Sequence, residues 1–208
     1  IGVSQSDWNT FSSTIAGIES NGDYSIAGGS GNHYDGKYQI GRDAKIEAGK
    51  ILGIELAHDE NSRAQFRSNP ELQEKTFAAL TLANHRRLMK NPKYANASKS
   101  AKLQILAYAH SQGAGAANKW INTGNVTKDA FGTRGTKYST AVAKNLGQGS
   151  TGGETVTPST QQAPAPAETT TSEGDKSDDS ILTSAAKFIG NIGSILIGSG
   201  TVSYTHLT

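Results

Sequence analysis

Apolar residues recur three and four positions apart through almost all of residues 1 to 147, and no convincing pair of alternating strands interrupts them. A chain patterned this way folds as helices that each turn one apolar stripe toward a shared core. Trp8, Phe11, Ile15 and Ile18 mark a first helix over residues 7 to 20, with Ser6 as N-cap and Gly22 past its end. "RDAKIEAGKILG" predicts a second helix ending at Gly53. "SNPELQEKTFAALTLANHRRL" predicts a third, with Asn69 as N-cap, Pro70 at the first helical position and acids in the first turn. "SAKLQILAYAHSQG" is apolar over most of its circumference and reads as a central buried helix closed by Gly113. "GAANKWI" and "TKYSTAVAKNLG" supply two short ones. The turn signal Asp35-Gly36 inside "GGSGNHYDGKYQIG" leaves room for a small β-hairpin, so the expected class is mainly α.

Composition changes abruptly after residue 147. From Gln148 to Ser180 the chain is Thr, Ser, Gly, Pro, Gln, Ala and acid, with Val156 the one large apolar residue. Such a stretch buries too little surface to offset its ordering entropy and reads as a disordered linker over 148 to 180. The charge divides at the same point: residues 1 to 147 hold 18 Lys and Arg against 12 Asp and Glu, whereas 148 to 208 hold 2 against 6. A mildly basic domain suits an anionic partner such as cell wall or nucleic acid, although a charge this modest is more often that of an ordinary solvated surface. The absence of Cys rules out disulfides and thiolate metal sites. The chain begins with Ile1, no signal-peptide pattern is legible at its start, and it reads as a piece of a longer protein.

Within "IAGIESNGDY" a carboxylic acid, Glu19, closes a helix beside Ile15 and Ile18 and faces the Gly-rich loop. Desolvation and the negative end of the helix dipole both disfavour its charged form there, which suits a proton donor to a leaving group. A solvated residue at a frayed helix end is the plain alternative. "GIESNGDY", then "GKYQIG", then "AHSQGAGAANKW" resemble, in order and spacing, the three signature blocks of the goose-type lysozyme and lytic transglycosylase superfamily. Those blocks are a catalytic Glu-Ser at a helix end, Gly-x-x-Gln-Ile, and Ala-Tyr-Asn-Ala-Gly-x-Gly ending in Trp. The resemblance covers about residues 7 to 140 and is nearest to peptidoglycan-cleaving domains of phage tail and virion proteins.

That resemblance implies a lysozyme-like helical domain over 1 to 147 that cleaves the β-1,4 bond between N-acetylmuramic acid and N-acetylglucosamine. It makes Glu19 the catalytic acid, Ser20 its support, and Tyr38 and Gln39 groove residues. In the third block His110 stands at the Tyr position and Ser111 at the Asn position, so either His110 or Tyr108 would hold the acid, and His110 reads equally as a core histidine. Trp120 reads as packing. Hydrolases pair two carboxyls about 5 to 9.5 Å apart, whereas lytic transglycosylases use one. Asp35, and less favourably Asp23, are the candidates for a second carboxylate, and both also read as loop-capping residues. A hydrolytic muramidase or chitinase and a non-catalytic peptidoglycan-binding virion module are therefore the competing readings.

The other motifs are weaker. His33, His58, His85, His110 and His206 lack ligand spacing, so neither metal nor cofactor is expected. "HRRLMKNPK" reads as the solvated face and exit of a helix, and nucleic acid is not the expected partner. "ILTSAAKFIGNIGSILIGSG", within 181 to 201, sets Leu182, Ala185, Ile189, Ile192 and Leu196 on one helical face; it reads as a helix that docks on other virion proteins or lies on a membrane, with a membrane span as the alternative. "VSYTHLT" resembles the translation of a sequencing adapter, so 202 to 208 is expected to be a non-native tail. Location on a virion, or outside the cytoplasm at the cell wall, follows from the resemblance.

Overall fold

Ser4, in extended conformation, accepts the Asp7 N–H at 3.0 Å and opens helix α1, Gln5–Ser20, so the cap lies two residues before the Ser6 expected from the sequence. The helix stops where Asn21 turns left-handed (φ 55°) and the Gly22 N–H reaches back to the Ala16 carbonyl. The computed structural model describes residues 1 to 149. The expected linker at 148 to 180 falls outside these apart from its first two residues, which are helical, and the helix at 181 to 201 and the tail at 202 to 208 lie wholly outside.

Strands β1, Ala27–Gly28, and β2, Tyr34–Asp35, pair antiparallel with Ala27 opposite Asp35 and Gly28 opposite Tyr34. Asp35 then bridges to Ile40, so Asp35-Gly36 does open a tight turn, with Gly36 at φ 72° and the Gln73 amide filling the space a Cβ would need. The helices that follow are α2 Arg42–Leu52, α3 Glu60–Arg67, α4 Pro70–Leu88, α5 Pro92–Ala95, α6 Lys99–Thr123 and α7 Gly135–Gly149. Asn69 caps α4 by accepting the Leu72 N–H at 3.0 Å ahead of Pro70, as its sequence dictates. The expected break at Gly113 appears as a kink inside α6, where that residue leaves helical geometry (φ 80°, ψ 157°). Mainly helical architecture with one small sheet is thus as the periodicity requires.

The core lies among α1, α4, α6 and α7 and is aromatic at its centre. Tyr38 stacks on Phe77 with centroids 3.9 Å apart, and Trp8 and Phe11 pack on the same ring at 5.7 Å each. Phe77 is wholly buried, and truncating it to Ala would cost about 3–5 kcal/mol. A second stack, Tyr108 on Trp120 at 4.6 Å and 5°, closes α6 over its own kink.

Helix α3 has a different origin. Its residues are mostly polar: Phe66 is the one large apolar side chain it buries in the core, and Arg63 and Arg67 reach Asp35 on β2. Lys45 of α2 pairs with the same carboxylate. One buried acid therefore ties the hairpin to α2 and α3.

Candidate functional site

Glu19 occupies the last turn of α1 and lines a cleft of about 1170 Å³. That exceeds the roughly 300–1,000 Å³ of a small-ligand pocket and suits an extended ligand. The acid's side chain keeps 17% exposure, and its Oε1 accepts two hydrogen bonds: the Tyr138 hydroxyl donates at 2.9 Å, and His110 Nε2 lies at 3.1 Å. No bond to Oε2 exists among the described residues. Burial, then the Glu19 charge and the hydrogen bond to it, push the Tyr138 hydroxyl well above the usual tyrosine range, so this group remains a donor. The His110 ring is fixed by an edge contact to Phe77 at 5.5 Å. The Glu19 carboxyl thus has one oxygen clamped by two donors and one without a hydrogen bond among the described residues.

Of the residues expected around this acid, His110 and Gln39 line the cleft. Gln39 holds a left-handed backbone (φ 47°); its Nε2 donates to the Gly36 carbonyl at 2.9 Å, and its Oε1 occupies the space beside Gly28 where a Cβ would stand. It both ties the loop together and forms wall.

Four expected groove residues do other work. Ser20 donates to the Lys37 carbonyl at 2.7 Å and braces the end of α1 against the "GKYQ" turn. Tyr38 is wholly buried on Phe77 and donates to Glu74 at 2.7 Å, because its position alternates with Gln39 and faces the core. Tyr108 is wholly buried, and its hydroxyl is engaged by the Thr127 N–H at 2.7 Å and the Thr127 hydroxyl at 2.9 Å. Asp35 is the clearest correction. Its carboxylate is fully buried, carries Lys45, Arg63 and Arg67, and does not line the cleft. Burial alone would raise its pKa, but the hydrogen bonds from the three cations outweigh it and hold the carboxyl below the usual range. Asp23 is fully exposed and accepts from Ser25 N–H and Oγ, as a loop cap does. Trp120 packs on Tyr108, as expected.

Residues not anticipated from the sequence complete the cleft. Tyr138 sits one turn apart from Val142 and two from Leu146, a spacing that reads as core stripe; that stripe also aims it at Glu19, 119 residues earlier. Asp129 belongs to a small hairpin closed by the Lys128–Arg134 bridge, where its Oδ1 accepts the N–H groups of Phe131 and Thr133 at 2.9 and 2.8 Å. The Tyr108–Thr127–Gln112 hydrogen bonds anchor this hairpin to α6, and Gly135 lets α7 start against the Tyr108 ring, where a Cβ would stand 2.6 Å away. Tyr34 and Phe131 also line the cleft. Among the described residues no group of three His, Cys, Asp or Glu side chains is placed to hold a metal ion. No protein-family model matches the chain, and comparison with curated proteins and with solved structures found no match.

Proposed function

We propose that this is a lysozyme-like domain that cleaves the β-1,4 bond between N-acetylmuramic acid and N-acetylglucosamine in peptidoglycan, acting as a lytic transglycosylase of a phage virion. The observation that carries the reading is the divided carboxyl of the cleft-lining Glu19, with Oε1 held by Tyr138 and His110 and Oε2 without a hydrogen bond among the described residues. With its proton on Oε2, Glu19 protonates the glycosidic oxygen as the bond to the anomeric carbon breaks. The resulting carboxylate then takes the proton of the same sugar's 6-hydroxyl, whose oxygen bonds the anomeric carbon and closes an anhydro ring. The two donors on Oε1 serve both half-reactions, since they stabilise the carboxylate when it forms without blocking the oxygen that carries the proton. Gln39 and the aromatic side chains of the cleft would contact the glycan. Location at the cell wall, in a virion, follows from the same reading.

A second reading, hydrolysis, rests on Asp129, which lines the cleft with one oxygen free of hydrogen bonds among the described residues while Asp35 is committed to the fold. Digestion of purified peptidoglycan by wild type and Glu19→Gln, with mass spectrometry of the products, tests both. Anhydro-muropeptides from wild type and none from the variant support the transglycosylase; reducing ends support hydrolysis. Equal digestion by the two proteins refutes the role of Glu19.

A further inference from the structure

Phe131 is 61% exposed, the most exposed of the large apolar side chains among the described residues, and it stands in the cleft that holds Glu19. An isolated exposed apolar side chain means little by itself. Here two separate loops are shaped around aromatic rings that meet. On the first loop, the two edges of the Tyr34 ring lie against glycine backbone: a Cβ at Gly29 would stand 2.4 Å from Cδ2 and one at Gly41 3.1 Å from Cε1. On the second, the Asp129 carboxylate accepts the Phe131 N–H at 2.9 Å and sets that residue at the hairpin's tip. The rings contact edge to face, 6.3 Å between centroids at 71°. Each loop is also tied to the acid's surroundings, the first through Ser20 and the Lys37 carbonyl, the second through the start of α7 and Tyr138.

We infer that Phe131 is a stacking platform for one pyranose ring of the glycan strand, with Tyr34 as its brace; this rests on the glycan reading of the cleft. An edge-to-face pair leaves at least one flat face of each ring uncovered by the other. Tyr34 is 37% exposed against 61% for Phe131, so Phe131 offers the more open ring. A β-linked pyranose presents a face of C–H groups, which the negative face of an aromatic ring attracts while both shed water. The ring's exposure is then the cost of a site held ready for ligand, since pre-placing the ring avoids ordering it on binding.

Sedimentation of the full chain with intact peptidoglycan sacculi tests this in a Glu19→Gln background, where the strand is not consumed. The Glu19→Gln protein should co-sediment, Phe131→Ala added to it should weaken binding about tenfold, and Phe131→Trp should restore it. Melting temperatures of these variants should agree within about 2 °C, because a ring this exposed holds little of the core. Binding by Glu19→Gln that Phe131→Ala leaves unchanged overturns the platform and spares the glycan reading. Failure of Glu19→Gln itself to sediment overturns both.

Discussion

Replacing Asp35 by Asn separates a scaffold carboxylate from a catalytic one. Its side chain and that of Lys45 have no solvent exposure, while Arg63 and Arg67 keep 9% and 16%. The substitution leaves three cations around a neutral amide; Glu60, 76% exposed, still meets the two arginines from solvent, but Lys45 loses its one ion pair among the described residues. Breaking a buried ion pair by removing one partner costs about 3–5 kcal/mol. For a domain of this size that lowers the melting temperature by roughly 6–20 °C. Circular dichroism melting at pH 7 measures the shift, and digestion of sacculi well below the variant's melting temperature should stay within a few-fold of wild type. The pH sign follows from the depressed carboxyl pKa. Its stabilisation is present above the ordinary carboxylate range and is lost as pH falls through the lowered folded-state value, so Asp35→Asn should flatten that acid limb. A variant that melts with wild type yet loses digestion at least a hundredfold would refute the scaffold assignment and return Asp35 to the chemistry.

Tyr138→Phe removes one of the two donors on Glu19 with little change of shape; a hydrogen bond to a charged group is worth about 1.5–3 kcal/mol, so kcat should fall roughly 10- to 150-fold with KM little changed, and a rise in KM alone would contradict the geometry. Asp129→Asn keeps the Oδ1 acceptor for Phe131 and Thr133 but removes the charge, so anhydro products should persist by mass spectrometry; a switch from reducing ends to anhydro products would make Asp129 the base for water. Burial, reinforced by the charges of Lys102 and Arg86, lowers the His85 pKa from 6.5 to about 4 while its Nδ1 bonds the Tyr94 hydroxyl at 2.7 Å. The unfolded chain takes up this proton first, so stability from His85 is complete above about pH 6.5 and is lost as pH falls toward 4, by about 3 kcal/mol in all. Denaturant titrations of His85→Gln across that window should show a shallower loss than wild type.

What the sequence made legible was local. Asn69-Pro70 starts α4 because the cap bond and the fixed proline φ lie within four residues of each other, and Gly113 breaks α6 because only glycine adopts that backbone cheaply. Helix α3 was illegible because one buried apolar side chain, Phe66, makes no periodic stripe, and its other anchor is a carboxylate 28 and 32 residues before its arginines. Asp35 illustrates the same limit from the other side. In the sequence, a buried hub and a groove acid at this position look alike, and only the approach of Lys45, Arg63 and Arg67 decides between them.

The partner of Glu19 shows how far a helical pattern can narrow a choice. Tyr108 and His110 are two residues apart on one helix, hence about 200° apart around its axis, so only one of them can face α1. The sequence poses that alternative without its answer, since either phase buries an aromatic ring. The packing answers it: Tyr108 stacks on Trp120 and braces the Thr127 loop, which leaves His110 on the cleft side. Tyr138 then arrives from a helix whose stripe reads as plain core. Both donors converge on the same carboxylate oxygen, and that convergence has a chemical consequence. A carboxyl that must first give a proton and then take one works best when its surroundings need not rearrange between the two steps. In the proposed reaction, clamping Oε1 while Oε2 carries no bond among the described residues would meet that requirement with a single acid.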